Sequence, residues 1–362
     1  MNICFFNSSM RSGGAERIIS LLSELYAKNG DHVIIVTYDD QDSFYPLRSG
    51  INHIRLGLLR NSSTKLQAVH YSWKRIFRLR QVLKMKRIDV LLTFDSNTEF
   101  IGYVAKIGLN CKLIGAERAN PFLSSNTFWN RYKKRIANLC DGFIFQTKGA
   151  SEYFSKSLQM KGYIIPNGIN PNDFKKYERE WKTRTNLCAV GRLIESKCFD
   201  DLLRAVAIVH RSHPNIKLDV YGDGPKRTEL KLLASELGLD DCVIFHGQCG
   251  TVLEEYASHK IFIMTSQQEG FPNVLLEAMA SGCACISTNC DFGPSELIND
   301  GVNGFLVPVH DYKLIAEKVC TLIEDDELAE SFSVEAKKVR VTHDINSIGM
   351  VLYRYLQDVV NK

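Results

Sequence analysis

Two pairs of charged residues in the second half of the chain have types and spacings suited to binding a diphosphate and the hydroxyl groups of a sugar. Arg192 and Lys197 follow a strand-like run and stand five positions apart, and Glu269 and Glu277 stand eight positions apart in EGFPNVLLEAMASG. Cations bind a nucleotide diphosphate and stabilise it as a leaving group, and carboxylates accept hydrogen bonds from hydroxyl groups. Taken alone, each pair also fits a solvated surface, so the surrounding elements must decide between the two interpretations.

The spacing of the two glutamates argues against a pair of catalytic carboxylates. Eight positions on a continuous helix span roughly 12 Å, whereas the carboxyl groups of a retaining glycosidase lie only about 5–5.5 Å apart. We therefore interpret Glu269 and Glu277 as hydroxyl binders, one for a transferred sugar and one for a ribose. Between them a helix begins after Pro272. The backbone N–H groups at its start, around Asn273 and Val274, are expected to bind phosphate or sugar oxygens.

Two glycine-containing loops offer further contacts. Gly13 and Gly14 follow the first strand-like run and open an apolar helical segment, so the backbone can approach a diphosphate closely at a helix N-terminus. Their spacing is not G-x-G-x-x-G, so the dinucleotide-binding fingerprint is absent. The run YGDGP, from Tyr221 to Pro225, ends another strand and turns into a helix. Each loop is equally typical of an ordinary tight turn.

Strand-like and helical segments alternate along the chain, which is the pattern of βαβ units with parallel sheets. The strand-like runs are NICFF, HVIIVTY, DVLLTF, KLIGAE, GFIFQT and GYIIP in the first half, and NLCAVGR, IKLDVYG, CVIFHG, KIFIMTS, CACIST and GFLVP in the second. The predicted fold class is α/β, with two Rossmann-like doubly wound domains over 1–167 and 168–345 and a closing helix over 346–362. The polar stretch NPNDFKKYEREWKTRTN is interpreted as a linker. Ligands of such sheets bind beyond the carboxyl ends of the strands, so two domains facing each other predict a cleft with a site on each wall.

The composition excludes several classes of protein. A length of 362 residues with 45% hydrophobic and 24% charged residues is ordinary for a globular chain with a full core. Eleven scattered cysteines, with no Cys and His at zinc-binding spacing, predict neither a disulfide framework nor a structural metal. No apolar run reaches 18 residues, and MNICFFNSS has the pattern of a strand rather than a signal peptide. We therefore expect a cytoplasmic protein without a membrane span.

Together these motifs resemble those of glycosyltransferase family 4, whose members are retaining enzymes of the two-domain GT-B fold. The resemblance rests on EGFPNVLLEAMASG, on GR with a lysine five positions on, on SGGAER near the N-terminus, and on VIIVTY, PNGI, YGDGP, FHG and GPSELINDGVNGFLVP. It therefore covers nearly the whole chain. The C-terminal motifs are specific in combination, although no single one of them is.

The resemblance implies that residues 1–167 form the acceptor-binding domain and residues 168–345 the nucleotide-sugar-binding domain, and it implies a role for each matching residue. Gly13 and Gly14 let the first loop approach the diphosphate, and Arg192 and Lys197 contact it. Glu269 contacts hydroxyls of the donor sugar, and Glu277 contacts the ribose. The residues that line the sugar and phosphate through backbone groups are Phe271, Pro272, Asn273 and Val274. No metal or other cofactor is expected, because basic residues and helix dipoles take the place of a metal ion.

One segment departs from the family pattern. Many relatives carry a His after the strand that matches KLIGAE, where this chain reads ERANP and has Arg118. Other relatives share an E-R-N pattern, so activity is still expected, and Arg118 is a candidate catalytic residue. The departure disfavours a His-based proton transfer. By resemblance, the leaving phosphate itself then acts as the base while the acceptor attacks from the front face.

The first half of the chain is basic, which predicts an anionic partner. Residues 1–170 hold 24 Lys and Arg against 12 Asp and Glu. Residues 65–87 carry eight of these cations and no acidic residue, a pattern typical of a helix on a membrane surface. The apolar residues interleaved at helical spacing are Ile76, Leu79, Val82 and Leu83. The predicted patch for an anionic membrane and a lipid-diphosphate-linked acceptor comprises Arg75, Arg78, Lys84, Lys133 and Lys134.

The alternative to this patch is a solvated cationic helix face. Nucleic acid is not expected as a partner, because no nucleic-acid-binding motif is present.

The sequence thus predicts a retaining, metal-independent hexosyltransferase that moves a hexose or N-acetylhexosamine from a nucleotide-sugar, preferably a UDP-sugar, to a lipid-linked saccharide. The expected place is the inner face of the cell membrane, in O-antigen or other surface-polysaccharide synthesis. A GDP-mannose-dependent mannosyltransferase is the alternative within the family. A nucleotide-sugar epimerase or hydrolase and a non-catalytic sugar-nucleotide-binding protein are alternatives of other classes. No acid/base set for an epimerase is found, and the joint presence of Arg192, Lys197, Glu269 and Glu277 disfavours a binding module.

Overall fold

The structure is a computed structural model that describes residues 1–11, 13–58, 65–118, 127–250 and 252–362. The chain divides into two compact units. The first comprises Met1–Gly168 together with Ile345–Lys362, and the second comprises Ile169–Asp344. The second unit is therefore an insertion in the first, because the chain returns to the first unit for its last helix.

The first unit is built on a seven-stranded parallel sheet in the order β3-β2-β1-β4-β5-β6-β7. Its strands are β1 (Asn2–Asn7), β2 (His32–Thr37), β3 (Asn52–Arg55), β4 (Val90–Thr93), β5 (Lys112–Glu117), β6 (Gly142–Phe145) and β7 (Gly162–Ile164). The helices between them are α1 (Gly14–Lys28), α2 (Lys65–Met85), α3 (Ser96–Lys106), α4 (Thr127–Leu139), α5 (Lys148–Glu152) and α6 (Lys156–Lys161).

The second unit is built on a six-stranded parallel sheet in the order β10-β9-β8-β11-β12-β13. Its strands are β8 (Thr185–Val190), β9 (Leu218–Tyr221), β10 (Val243–Gly247), β11 (His259–Met264), β12 (Ala284–Thr288) and β13 (Phe305–Val307). Its helices are α7 (Asn172–Lys175), α8 (Phe199–Ser212), α9 (Arg227–Glu236), α10 (Val252–Ser258), α11 (Asn273–Ser281), α12 (Pro294–Leu297), α13 (Tyr312–Glu324), α14 (Asp326–Ala336) and α15 (Val339–Thr342). The last helix, α16 (Ile345–Val360), belongs to the first unit.

Both sheets are buried on their two faces, which explains why their strands read as continuous apolar runs. In β1, Ile3 and Phe5 pack on the face that is covered by α1 and α16, whereas Cys4 and Phe6 pack on the face that is covered by α2 and α3. All four side chains are fully buried. Helices on both sides of a parallel sheet confirm the doubly wound α/β class predicted from the sequence.

Both sheets reverse their strand order at one point. In the first sheet β1 lies between β2 and β4, and in the second sheet β8 lies between β9 and β11. The loops after the two strands that flank such a switch point diverge to opposite faces and leave a crevice, where open α/β sheets bind ligands. The loops after β1, β4, β8 and β11 are therefore the positions to search for a site.

Two sequence interpretations of this fold are wrong. The edge strand β3 was not expected, because its sequence NHIR contains no apolar run and its residues are only half-buried or exposed. The supposed linker after the first domain is a packed part of the second unit. It contains α7 and a 3-10 turn over Trp181–Thr183, and it buries Phe174, Trp181 and Arg184.

The last helix is fastened to the first unit by polar as well as apolar contacts. The hydroxyl of Tyr355 accepts a hydrogen bond from the Phe143 backbone N–H at 2.8 Å and donates one to the Lys161 carbonyl at 2.6 Å. The hydroxyl of Tyr26 donates to the Gly349 carbonyl at 3.0 Å. Leu352 and Leu356 are buried in the same core cluster as β1. Helix α16 thus completes the core of a unit whose other elements lie more than 180 residues earlier in the chain.

The described residues include neither a disulfide bond nor a helix that could span a membrane. All eleven cysteines lie in the described ranges, and all are free thiols, nine of them buried. Of the helices in those ranges, none has the length and apolar character needed to cross a membrane.

Candidate active site

The second sheet brings the predicted donor residues to one edge. Strands β8 and β11 pair in parallel, with Ile261 opposite Leu187 and Phe262 opposite Cys188, so their carboxyl ends lie side by side. The loop after β8 carries Arg192 and Lys197, the loop after β11 carries Glu269, and α11 carries Glu277. All four residues therefore belong to the switch point of this sheet, where a ligand site is expected.

An ion pair joins the two loops. The Lys197 Nζ lies 2.5 Å from Glu269 Oε1, and the side chains are only 18% and 10% exposed. Two further hydrogen bonds hold these loops together. The Thr265 hydroxyl donates to the Lys197 carbonyl at 2.9 Å, and the Gln267 N–H donates to the Ser196 carbonyl at 3.0 Å. A charge-assisted hydrogen bond in such a partly desolvated position is stronger than a surface ion pair. It holds together a cation suited to phosphate and a carboxylate suited to hydroxyl groups.

The side chain of Arg192 is exposed and takes part in no ion pair or hydrogen bond with the described residues. The backbone beside it is fixed, since the Leu193 N–H donates to the Asp223 carbonyl and the Lys226 N–H donates to the Leu193 carbonyl, both at 3.0 Å. A guanidinium on a fixed backbone presents its fork of donors to an incoming phosphate with little rearrangement of the loop.

The YGDGP turn supports this loop through its glycines. Gly222 has φ +137°, and a Cβ there would overlap the carbonyl oxygen of Gly191. A Cβ at Gly224 would overlap the carbonyl oxygen of Leu193. The two loops therefore pack backbone against backbone, which only glycine allows at these two positions. The sequence alone could not separate this role from that of an ordinary turn.

The start of α11 is less open than the sequence suggested. The Asn273 N–H donates to the Phe271 carbonyl at 3.0 Å, and the Leu275 and Leu276 N–H groups donate to the Pro272 carbonyl at 3.1 Å. Of the two N–H groups expected to bind oxygens, only that of Val274 makes no backbone hydrogen bond within the described part of the chain.

The side chains around the start of α11 are largely buried. Those of Phe271 and Pro272 are buried, so the backbone is what these two residues offer a ligand. Glu277 lies one turn inside α11 and is 7% exposed.

A residue that the sequence analysis missed holds the other end of α11. Arg184 is 2% exposed, and its guanidinium donates to the carbonyls of Gly282 at 2.8 Å and Ser281 at 2.9 Å. The Ser333 hydroxyl also donates to the Gly282 carbonyl, at 2.7 Å. A cation at the carboxyl end of a helix satisfies the last carbonyls and complements the helix dipole. No motif marks Arg184, because it lies in the polar stretch that was interpreted as a linker.

The loop with Gly13 and Gly14 lies in the first unit, after β1. Helix α1 begins at Gly14, and the backbone at Gly13 is extended rather than left-handed. The carboxylate of Glu16 lies over Gly13, and the Asn7 side chain donates to it at 3.2 Å. The N-terminus of α1 is therefore already complemented by a carboxylate of the chain itself. The other residues predicted to bind the nucleotide-sugar belong to the second unit.

Arg118 follows β5 in the first unit and is held in a desolvated position. Its guanidinium donates to the Asn167 side chain and lies 5.1 Å from the centre of the Phe94 ring. Burial lowers the pKa of Arg118 to about 10. The group therefore stays protonated at neutral pH, so it can donate hydrogen bonds but cannot take a proton from an acceptor. Ala119, Asn120 and Pro121 of the same motif lie outside the described residues.

Only part of the predicted basic patch is exposed and able to contact an anionic partner. Ile76, Leu79, Val82 and Leu83 do not face a membrane, because they pack against the first sheet. Arg75 donates to the Leu58 carbonyl at 2.8 Å and lies over the Tyr38 ring. Lys133 is half-buried, and the Lys134 ammonium lies 3.8 Å from the centre of the Tyr153 ring. Arg78 and Lys84 are exposed on α2.

One group of possible metal ligands comes together among the described residues. Cys198, Asp201 and His310 place their ligand atoms within 4.8 Å of one another, and His310 Nδ1 lies 2.8 Å from Asp201 Oδ2. The contact between His310 and Asp201 joins the segment before α13 to the first turn of α8. Sequence spacing gave no sign of it, since His310 and Asp201 are 109 positions apart.

The packing of the two glycine loops gives a first prediction. Gly222→Ala places a Cβ against the Gly191 carbonyl at a φ that disfavours side chains, so we expect the free energy of unfolding to fall by about 1–3 kcal/mol. Equilibrium unfolding in urea measures the change. Gly250→Ala is the matched control, because it is exposed and a Cβ there meets no atom within 4 Å. Equal stability of the two variants would contradict the packing described for Gly222.

Comparison with known proteins identifies the family of the chain. Residues 170–339 match the family model described as glycosyl transferases group 1, and residues 12–173 match the model described as glycosyltransferase family 4. The chain is similar to a Campylobacter jejuni protein named GalNAc-alpha-(1->4)-GalNAc-alpha-(1->3)-diNAcBac-PP-undecaprenol alpha-1,4-N-acetyl-D-galactosaminyltransferase. The two are 26% identical over 100% of this chain and 99% of the relative.

Two further proteins extend the comparison. A second C. jejuni protein, N-acetylgalactosamine-N,N'-diacetylbacillosaminyl-diphospho-undecaprenol 4-alpha-N-acetylgalactosaminyltransferase, is 28% identical over 97% of this chain and 98% of the relative. Among solved structures, S. aureus TarM in complex with fondaparinux, alpha-GlcNAc-glycerol and UDP superposes with a TM-score of 0.81 at 14% identity, over 100% of both chains. That likeness shows the fold, which is GT-B. From its two family matches, the motifs at the second switch point and its two parallel-sheet units, the chain belongs to glycosyltransferase family 4 and is a glycosyltransferase.

Proposed function

We propose that this glycosyltransferase is a retaining, metal-independent enzyme that moves an N-acetylhexosamine or a hexose from UDP to a saccharide carried on a lipid diphosphate. The reaction belongs to the synthesis of O-antigen or another surface polysaccharide at the inner face of the cell membrane. The observation that carries the proposal is the Lys197–Glu269 ion pair beside the exposed Arg192 at the second switch point. Diphosphate-binding and hydroxyl-binding groups stand side by side there, as one nucleotide-sugar requires.

In the proposed reaction the bond from the sugar C1 to the diphosphate oxygen breaks, and a bond from C1 to an acceptor oxygen forms on the same face. The acceptor hydroxyl gives its proton to the departing phosphate oxygen, since Arg118 stays protonated and cannot take it. Arg192 and Lys197 stabilise the charge that develops on the diphosphate, which is the role a metal ion would otherwise fill. Glu269 holds hydroxyls of the transferred sugar, and Glu277 holds the ribose.

The relatives support the choice of donor and acceptor. Both C. jejuni proteins are named as N-acetylgalactosaminyltransferases, and both names include a saccharide on diphospho-undecaprenol. The S. aureus structure contains UDP. We therefore propose UDP as the nucleotide, an N-acetylhexosamine ahead of a plain hexose, and a lipid diphosphate as the carrier of the acceptor.

A membrane contact through α2 fits such an acceptor. Val69, Trp73 and Phe77 form a stripe at four-residue spacing and are 56%, 63% and 61% exposed. The exposed cations Lys74 and Arg78 lie beside the stripe. Interfacial aromatic residues combined with Lys and Arg are typical of a surface that binds anionic lipid headgroups. This surface replaces the face predicted from the sequence, whose apolar residues are buried in the core.

The donor site is tested first by nucleotide binding. We expect UDP, among UDP, GDP and ADP, to raise the melting temperature in buffer without metal, because a ligand that binds the folded state stabilises it. Arg192→Ala should weaken UDP binding about 10-fold or more in calorimetry, through loss of a charge-assisted contact. Arg204→Ala, an exposed cation on α8, is the matched control. Unchanged UDP affinity in Arg192→Ala would remove this residue from the diphosphate site, and a shift with GDP alone would replace UDP by GDP in the proposal.

The role of Glu269 is tested by turnover. Glu269→Gln keeps the shape of the side chain but removes the charge, so we expect turnover of the UDP-sugar to fall about 10²-fold or more. UDP binding should change much less than turnover, because the Gln amide oxygen can still accept a hydrogen bond from Lys197, and Arg192 and Lys197 supply the diphosphate contacts. Release of UDP in the presence of a membrane extract that contains lipid-linked saccharides measures the rate. Glu236→Gln, an exposed carboxylate on α9, is the control, and wild-type turnover by Glu269→Gln would end the assigned role.

The membrane contact is tested by flotation with vesicles of phosphatidylcholine, with and without phosphatidylglycerol. Charge reversal of Lys74, Arg78 and Lys84 to Glu should weaken binding to the anionic vesicles on the order of 100-fold, at about 1 kcal/mol for each cation. UDP binding should not change. Reversal of three exposed lysines of the second unit, Lys182, Lys231 and Lys313, makes the same change in net charge. If both triple variants bind vesicles equally well, α2 is not the membrane contact.

A further inference from the structure

Cys198, Asp201 and His310 offer the three kinds of side chain that bind zinc, and they come from two separate segments of the second unit. Cys198 caps α8 and Asp201 lies in its first turn, whereas His310 lies two residues before α13. One ligand atom from each lies within 4.8 Å of the other two. Bonds of about 2.0–2.3 Å to a tetrahedral Zn²⁺ place its ligand atoms about 3–4 Å apart. The group is therefore close to the spacing of a zinc site, and the exposed His310 side chain has room to move nearer.

The backbone at two of these residues is strained. Cys198 has φ +47° and His310 has φ +66°, and they are two of only four non-glycine residues with positive φ in the described ranges. Glycine adopts this left-handed conformation at lower cost than a residue with a Cβ. Strain of this kind is common where a particular side chain is required for function. A thiol and an imidazole at such positions therefore indicate a role beyond forming a turn.

The backbone positions of the three residues are fixed by neighbouring contacts. The Cys198 N–H donates to the Glu195 carbonyl at 3.0 Å, and the Asp201 N–H donates to the Cys198 carbonyl at 3.2 Å. Next to His310, Asp311 caps α13 by accepting a hydrogen bond from the Leu314 N–H at 3.0 Å. Helices α8 and α13 bury their apolar side chains in the same core cluster. Ligands on such rigid supports need little rearrangement to bind an ion.

The chemistry of the three side chains selects the metal. A thiolate and an imidazole are ligands of Zn²⁺, and a carboxylate is a common third ligand. Mg²⁺ and Ca²⁺ prefer oxygen ligands throughout, so a sulfur and a nitrogen disfavour both. Cys198 and Asp201 are buried, whereas His310 is exposed. Water can therefore reach the ion from the side of His310 and complete a tetrahedral set of ligands.

We propose that Cys198, Asp201 and His310 bind one Zn²⁺ ion, which fastens the loop that carries Lys197 to the segment before α13. On binding, the Cys198 thiol releases its proton to solvent. The 2.8 Å contact between His310 Nδ1 and Asp201 Oδ2 is replaced by two bonds to the ion. The role is structural and independent of the proposed transfer reaction, whose diphosphate is bound by Arg192 and Lys197.

The test starts from untagged, full-length protein that has been freed of metal with EDTA. Zn²⁺ is titrated in competition with a chromophoric chelator, and we expect one tight site per chain. Co²⁺ in place of Zn²⁺ should give the visible absorption of a tetrahedral ion and a sulfur-to-cobalt charge-transfer band in the near ultraviolet. Absence of competition with the chelator, or a Co²⁺ spectrum without the charge-transfer band, would overturn the proposal.

Glycine variants separate loss of a ligand from loss of folding. Cys198→Gly and His310→Gly suit the left-handed backbone, so we expect both to fold and to bind Zn²⁺ at least 10-fold more weakly, about the effect of losing one ligand contact. Cys198→Gly should also abolish the charge-transfer band. Cys320→Ser is the matched control, because Cys320 Sγ lies 3.9 Å from His213 Nδ1 in another contact between a thiol and an imidazole. Loss of the band in Cys320→Ser, with the band kept in Cys198→Gly, would move the ion to that contact and overturn the assignment.

The fastening role is tested by thermal unfolding. Zn²⁺ at about 100 times its dissociation constant should raise the melting temperature of the wild-type protein by about 5 °C or more, because it binds the folded state. Cys198→Gly should show no such rise at the same concentration. Equal shifts in the two proteins would show that Zn²⁺ acts at other groups, and binding without any shift in the wild type would contradict the fastening role.

Discussion

The ion pair between Lys197 and Glu269 is the interaction on which the arrangement of the candidate donor site depends. It joins the loops after β8 and β11, the two strands that flank the switch point of the second sheet. The loop after β9 supports the first of these loops through Gly222, and Arg184 fastens the far end of α11. The loop after β12 is also close, since burial and then the Glu269 charge raise the pKa of the Cys290 thiol to about 12. The loops after β8, β9, β11 and β12 thereby come together near Lys197 and Glu269.

The two units show how one topology supports two kinds of chemistry. Each has a parallel sheet with a switch point, between β1 and β4 in the first unit and between β8 and β11 in the second. At the second switch point a cation is exposed and a second one is paired with a carboxylate, which suits a diphosphate attached to a sugar. Beyond β4 and β5 of the first sheet, carboxyl groups and aromatic rings line a small cavity together with the cations Arg118 and Lys133. The scaffold supplies the position, and the loop residues supply the selectivity.

The sequence predicted the elements whose physical cause is local and missed those that depend on the fold. Twelve strands were predicted because buried parallel strands are continuous apolar runs, whereas β3 was missed because NHIR is a polar edge. The four candidate donor residues of the second unit were predicted from their types and spacing, and all four lie at one edge of the second sheet. Arg184 was missed because its acceptors, the carbonyls of Ser281 and Gly282, lie about a hundred residues later in the chain. The face of α2 was misjudged for a related reason, since periodicity identifies an apolar stripe but not the surface that it covers.

The return of α16 to the first unit has a consequence for how such enzymes diversify. Where the second unit begins and ends, Ile169 and Asp344 form a parallel bridge, and the Ile169 N–H donates to the His343 carbonyl at 2.8 Å. The two ends of the inserted unit are thus a single hydrogen bond apart. A segment with adjacent ends can be exchanged for a homologous one by recombination at two neighbouring points, and the interrupted core of the host unit needs no new connection. Chimeras cut at these two points would combine the second unit of one relative with the first unit of another, so the two units are free to evolve separately.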